Sequence, residues 1–102
     1  VTDIADISQP EEFYLYQNYP NPFNPSTKFE FRISDFGFVN LKVYDVLGKE
    51  VATLVNEEKP AGTYEVEFSG HSDEGQNLSS GIYFYKLIAG DFVQTKKMIL
   101  LR

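Results

Sequence analysis

Leu15-Tyr16-Gln17-Asn18-Tyr19-Pro20-Asn21-Pro22-Phe23-Asn24-Pro25-Ser26-Thr27 runs directly into Lys28-Phe29-Glu30-Phe31-Arg32-Ile33, and the change of character at Thr27 decides the fold. Each proline removes a backbone donor and fixes φ. Each residue ahead of a proline is driven toward extended geometry, so the first half is neither helix nor central strand. In the second half Phe29, Phe31 and Ile33 alternate with Lys28, Glu30 and Arg32. That is the period of a strand with one buried and one solvated face. A stiff lead-in to a β domain is the reading of the whole segment.

The same period recurs downstream. Val39, Leu41 and Val43 alternate with Asn40 and Lys42, and the run ends at Asp45-Val46-Leu47-Gly48, whose Asp and Gly suit the first and fourth positions of a type I turn. The returning strand, near Lys49–Val55, is irregular because Val51 and Leu54 fall on opposite faces, which predicts a bulge or an edge position. Ala61-Gly62 opens Thr63–Phe68, where Tyr64, Val66 and Phe68 share one face. Ser69–Ser80 is polar and rich in turn formers, and reads as a long loop closed by Ser80-Gly81. Ile82–Ile88 is apolar on both faces except Lys86, the pattern of a central strand covered on both sides. Gly90-Asp91 is a two-residue turn with Gly first, and Phe92–Leu101 supplies the last strand. With a short first strand at Phe13–Gln17, the reading is all-β: a seven-stranded, immunoglobulin-like antiparallel β-sandwich. Tyr83 stands where such domains place a tyrosine corner, and Tyr83 and Tyr85 are expected to be core aromatics whose hydroxyls reach loop backbone.

Composition narrows the function classes. The 102 residues suffice for one domain with one modest core, and nine Phe and seven Tyr without Trp make that core aromatic. There is no cysteine, so disulfides, thiolate metal sites and cysteine nucleophiles are excluded. The net charge of −6 disfavours nucleic acid, which requires a basic face. Charge is also graded: residues 1–27 hold Asp3, Asp6, Glu11 and Glu12 without Lys or Arg, whereas Lys96, Lys97 and Arg102 close the sequence without an acid. No stretch approaches the roughly 18–20 apolar residues of a membrane span. The first residues lack a basic-then-apolar export signal, which implies either a cytosolic protein or a piece whose signal lies upstream. Residues 1–12 read as an acidic linker and 13–102 as the folded domain.

Candidate chemistry is thin. His71 is the single histidine and lies among Ser69, Ser72 and Asp73, but a triad needs a base held rigidly between nucleophile and orienting acid, and this is a polar turn. Asp73-Glu74-Gly75 lacks the alternating acids and distal Glu of a helix-loop-helix calcium site. Neither G-x-G-x-x-G nor G-K-S/T occurs. No catalytic residue, metal or cofactor is expected. Tyr14, Tyr16, Tyr19 and Phe23 admit two readings: an aromatic platform that stacks on sugar, or a segment folded back to cover an open strand edge, and edge protection is the favoured one.

Four ordered motifs together resemble the type A C-terminal sorting domain of the type IX secretion system. They are Tyr19-Pro20-Asn21-Pro22-Phe23-Asn24-Pro25 with Thr27; Val43-Tyr44-Asp45-Val46-Leu47-Gly48-Lys49; Leu78-Ser79-Ser80-Gly81-Ile82-Tyr83-Phe84-Tyr85; and Lys96-Lys97-Met98-Ile99-Leu100. The resemblance implies a non-enzymatic, seven-stranded secretion signal that directs an upstream cargo domain through the periplasm to an outer-membrane translocon. It also implies removal by a sortase-like protease that cuts within Ile7–Glu12, and delivery of the cargo to the cell surface or the medium. It points to Pro20, Asn21, Pro22, Asp45, Gly48, Gly81, Tyr83, Lys96 and Lys97 as recognition residues. Phe68-Ser69-Gly70-His71 departs from the family's Trp-Asp/Asn-Gly, with Phe68 expected to fill the Trp site. The alternatives are a carbohydrate-binding or adhesive module appended to a secreted enzyme, and a structural domain like that of flagellar hook-capping proteins.

Overall fold

The computed structural model describes residues 12–69 and 78–101. Seven strands follow in order: β1 (Tyr14–Leu15), β2 (Ser26–Ile33), β3 (Gly37–Tyr44), β4 (Glu50–Lys59), β5 (Gly62–Ser69), β6 (Gly81–Ala89) and β7 (Phe92–Leu100). They form a three-stranded sheet in the order β1-β2-β5 and a four-stranded sheet in the order β4-β3-β6-β7, with every pairing between named strands antiparallel. The expected sandwich is therefore present.

Alternation in the sequence becomes the two faces of each sheet. Phe29, Phe31 and Ile33 of β2 meet Val39, Leu41 and Val43 of β3 and Tyr85, Leu87 and Ala89 of β6 in one core, all buried. Met98 and Leu100 close it from β7, and Leu15 from β1. An aromatic chain runs through this core: Phe23 packs edge-on against Phe68 at 6.2 Å, Phe68 lies 6.0 Å from Phe29, and Phe29 lies 4.5 Å from Tyr85. Phe68 is a buried link in that chain.

The irregularity of β4 has a simple cause. Opposite β3 the register jumps between Leu41 and Lys42 and again between Val43 and Tyr44, which leaves Leu54 and Val51 as the extra residues. Each bulge rotates the strand, so both side chains turn toward the core. The bulges and the edge position coexist.

The turns follow their residues. The Gly48 N–H donates to the Asp45 carbonyl at 3.0 Å, and Gly48 takes a φ of +87°, a conformation that suits glycine and completes a three-residue hairpin loop. Gly90 has a φ of +61° while Asp91 keeps a negative φ, the pattern of a type II′ turn. One expectation fails in part. β6 is central, between β3 and β7, but only its inner face is covered: outward-facing Ile82 is 41% exposed and Phe84 and Ile88 are half-buried. Among the described residues no element covers that side, and the neighbouring Lys42, Lys86 and Lys97 keep it partly wet.

Candidate recognition pole

The proline segment is built into the fold. After β1 pairs with β2, residues 17–23 cross to the other sheet, where Phe23 forms a parallel bridge with Leu100 of β7. The Phe23 N–H donates to the Ile99 carbonyl and the Leu101 N–H donates to the Phe23 carbonyl, each at 2.9 Å. Asn21 Oδ1 accepts from the Ile99 N–H at 3.0 Å, and Gln17 Nε2 donates to the Lys97 carbonyl at 2.8 Å. Pro20, Pro22 and Pro25 all follow cis peptide bonds. The segment thus covers the free edge of β7, because its own prolines cannot extend a regular ladder but its Asn and Phe can pair locally.

Two buried polar side chains hold the bend. Asn18 Nδ2 donates to Thr27 Oγ1 at 3.0 Å and to the Pro20 carbonyl at 3.2 Å, and the Thr27 hydroxyl donates to that carbonyl at 2.9 Å. Tyr85 completes the arrangement from β6: its hydroxyl donates to the Tyr16 carbonyl at 2.8 Å and accepts from the Asn18 N–H at 2.7 Å. Burial pushes the Tyr85 hydroxyl up to about 12, against the smaller opposing pull of the Asn18 N–H. Tyr83 donates to the Ser79 carbonyl at 2.7 Å. Both tyrosines therefore reach loop backbone, and Tyr83 has the tyrosine-corner geometry.

The register gathers the expected recognition residues at one end of the sandwich. Tyr44 lies opposite Phe84, Gly81 opposite Leu100, and Phe23 beside Leu100. The proline segment, the Asp45–Lys49 turn, the Ser79–Gly81 approach to β6 and the end of β7 consequently share that pole. Their roles differ. Asp45 Oδ1 accepts from the N–H groups of Leu47 and Lys49, each at 2.9 Å, so Asp45 and Gly48 shape the turn. Tyr83 is buried, and Asn21 is tied to Ile99. Pro20, Pro22, Gly81 and Lys97 are exposed, and Lys96 is half-buried on the inward-facing row of β7. Leu47, which sequence reasoning passed over, is 89% exposed at the turn tip. Asn18 was passed over too, and its signal was its place in a Pro/Asn-rich bend, where a buried amide is the natural partner for backbone that prolines leave unpaired.

The aromatic platform does not form. Phe23 is buried, while Tyr14 and Tyr16 pack edge-to-face at 4.6 Å beneath the Arg32 guanidinium, which also donates to the Tyr16 hydroxyl at 2.8 Å. Tyr19 is 80% exposed and Tyr14 41%, but Tyr14 is engaged by Tyr16 and Arg32. Among the described residues no group of three or more His, Asp or Glu side chains could hold a metal ion. His71, Asp73 and Glu74 lie outside the described residues.

Comparison with known proteins agrees with this geometry. The fold is similar to part of dimeric latent PorU from Porphyromonas gingivalis, with a TM-score of 0.68 and 20% identity over 87% of this chain and 9% of PorU. It is also similar to part of PorZ, described as an essential bacterial surface component of the type-IX secretion system of the same organism, with a TM-score of 0.59 and 18% identity over 99% of this chain and 13% of PorZ. At these identities the likeness is one of fold, and the chain spans a small part of either neighbour's length. No curated protein matches the chain by sequence. The sequence profile described as the secretion system C-terminal sorting domain matches residues 17–101, from the edge-covering segment to the end of β7. The chain therefore belongs to that family, the C-terminal sorting domains of type IX secretion.

Proposed function

We propose that this domain carries an upstream cargo through the type IX outer-membrane translocon by presenting the pole where its four motifs meet, and that a sortase-like protease then removes it by a cut within Ile7–Glu12 of the acidic linker. The observation that carries the reading is the family match over 17–101, which spans all the residues of that pole. Exposed Pro20, Pro22, Gly81 and Lys97, with half-buried Lys96, are the direct recognition candidates; Asn21, Asp45, Gly48 and Tyr83 act by holding them in place. The reading requires no catalysis from the domain itself. The carbohydrate-binding alternative loses its main support with the burial of Phe23.

The test is secretion of a reporter fused ahead of residues 15–102, behind a general export signal, in strains with and without a working type IX translocon. Delivery to the surface or medium only in the competent strain is expected. A Lys96→Glu/Lys97→Glu fusion, and Lys97→Glu alone, should stay folded and remain in the periplasm. Deletion of 96–102 is a poorer probe because it removes Met98 and Leu100 from the core. Retention of the intact wild-type fusion in both strains would overturn the sorting role.

A further inference from the structure

The opposite pole carries a second surface, and it does not depend on the sorting role. There the β2–β3 turn, the β6–β7 turn and the residue just ahead of β1 enclose a recess of about 610 Å³. Its walls are Phe13, Phe36, Phe38 and Phe92 with Asp35 and Asp91. Phe13 stacks on Phe92 at 5.5 Å and 18°, which makes one wall a rigid aromatic pair. Phe36 and Phe38 are 62% and 52% exposed. Two phenylalanines left in water at one turn oppose the hydrophobic effect and mark a contact surface.

The charge of the recess is one-sided. Among the described residues no Lys, Arg or His lines it, and Ser34 is the only side-chain donor in its walls. The ion pairs among the described residues are Lys42–Glu50 and Lys59–Glu57, so no described cation neutralises Asp35 or Asp91. Lys59, which pairs in register with Gly37, is instead drawn over the Tyr64 ring at 4.6 Å. Glu58 lies opposite Phe38 in register on β4. Aromatic faces beside carboxylates attract cations through the ring quadrupole and through charge. A sugar would need donors as well as acceptors from the walls, and this recess offers almost none.

We propose that the recess between Phe36 and Phe92 binds a basic, apolar peptide segment, in which a guanidinium or ammonium group meets Asp35 and Asp91 while a neighbouring aliphatic side chain packs on the phenylalanines. The site abuts Phe13, so a protein that presents such a segment is held where the preceding linker joins the fold.

Amide NMR of the whole chain titrated with the peptide acetyl-Arg-Leu-Arg-Leu-amide tests this. The amides of Phe36, Gly37, Gly90 and Asp91 should move together, and those at Tyr19 and Lys97 should not. Asp91→Asn and Phe36→Ser alter exposed turn residues, so their spectra should stay dispersed while affinity falls about fivefold each, the loss expected of one partly solvated charge or cation–ring contact. The citrulline version of the peptide should bind at least as weakly as the wild-type peptide binds Asp91→Asn. Three results would each overturn the proposal: no movement of those amides at about 5 mM peptide, weaker than any useful affinity; equal binding of the citrulline peptide; or the same amides responding to a glucan oligosaccharide and not to the peptide.

Discussion

Tyr85 shows how one residue joins the two halves of this fold. Its ring lies in the core and its hydroxyl serves both an acceptor and a donor of the crossing segment. Tyr85→Phe keeps the ring but leaves the buried Asn18 N–H without that acceptor, which should cost about 1–3 kcal/mol in urea unfolding. The pH dependence has a definite sign. The folded hydroxyl sits at about 12 whereas an unfolded tyrosine ionises near about 10. The unfolded state therefore loses its proton first, and this contribution is fully present below pH ~10 and is lost as pH rises toward ~12, up to roughly 3 kcal/mol in all. The difference between wild-type and Tyr85→Phe stability, followed across that window, should shrink by that order. A constant difference would mean that the hydroxyl is not held neutral by burial.

At the scale of elements, the strands and the edge-covering role of the proline segment were legible in the sequence, but the edge it covers was not. Phe29, Phe31 and Ile33 announce β2 because a side-chain period of two needs no knowledge of the partner. Val51 and Leu54 announce the irregularity of β4 because they fall on opposite faces, which a bulge or an edge position accommodates, and the strand has both. The tyrosine hydroxyls were legible for a similar reason, since a buried phenol needs a partner nearby. Phe23 has no such signal: it stands alone among prolines and asparagines, and its burial depends on Ile99 and Leu100 at the far end of the chain. Phe36 and Phe38 stand two apart in the sequence, and only the fold sets them beside Phe13 and Phe92. Because Phe23 is 1% exposed, Phe23→Ala should destabilise by about 3–5 kcal/mol, as truncation of a core aromatic does. A loss below about 1 kcal/mol in chemical unfolding would mean that the segment merely lies on the sandwich.

For the molecule as a whole, the two sheets and the crossing segment share one core, so they should unfold together. Tyrosine fluorescence, to which Tyr14, Tyr16 and Tyr19 within residues 13–25 contribute beside the other tyrosines, and far-UV circular dichroism, which reports the ladders, should give coincident urea transitions. An earlier fluorescence transition would show that residues 13–25 detach on their own. The two poles divide the surface differently: exposed motif residues and Lys97 at one end, aromatic walls and carboxylates at the other. Lys97→Glu should therefore block reporter secretion without changing peptide affinity, and Asp91→Asn should weaken peptide binding about fivefold without blocking secretion.

The bridge between Phe23 and Leu100 also sets an order of assembly. Its two partners are separated by nearly the whole domain, and contacts of such long range close late because the loop between them must first be ordered. A chain delivered from its amino end holds Phe23, Asn21 and Gln17 long before Ile99 and Leu101 arrive to meet them. Until then the aromatic core stays open at one side and β6 lacks its outer neighbour. A chain that stops short of β7 lacks Met98 and Leu100 of the core and the partner of Phe23, so the finished sandwich is in that sense a receipt that synthesis ran past β7.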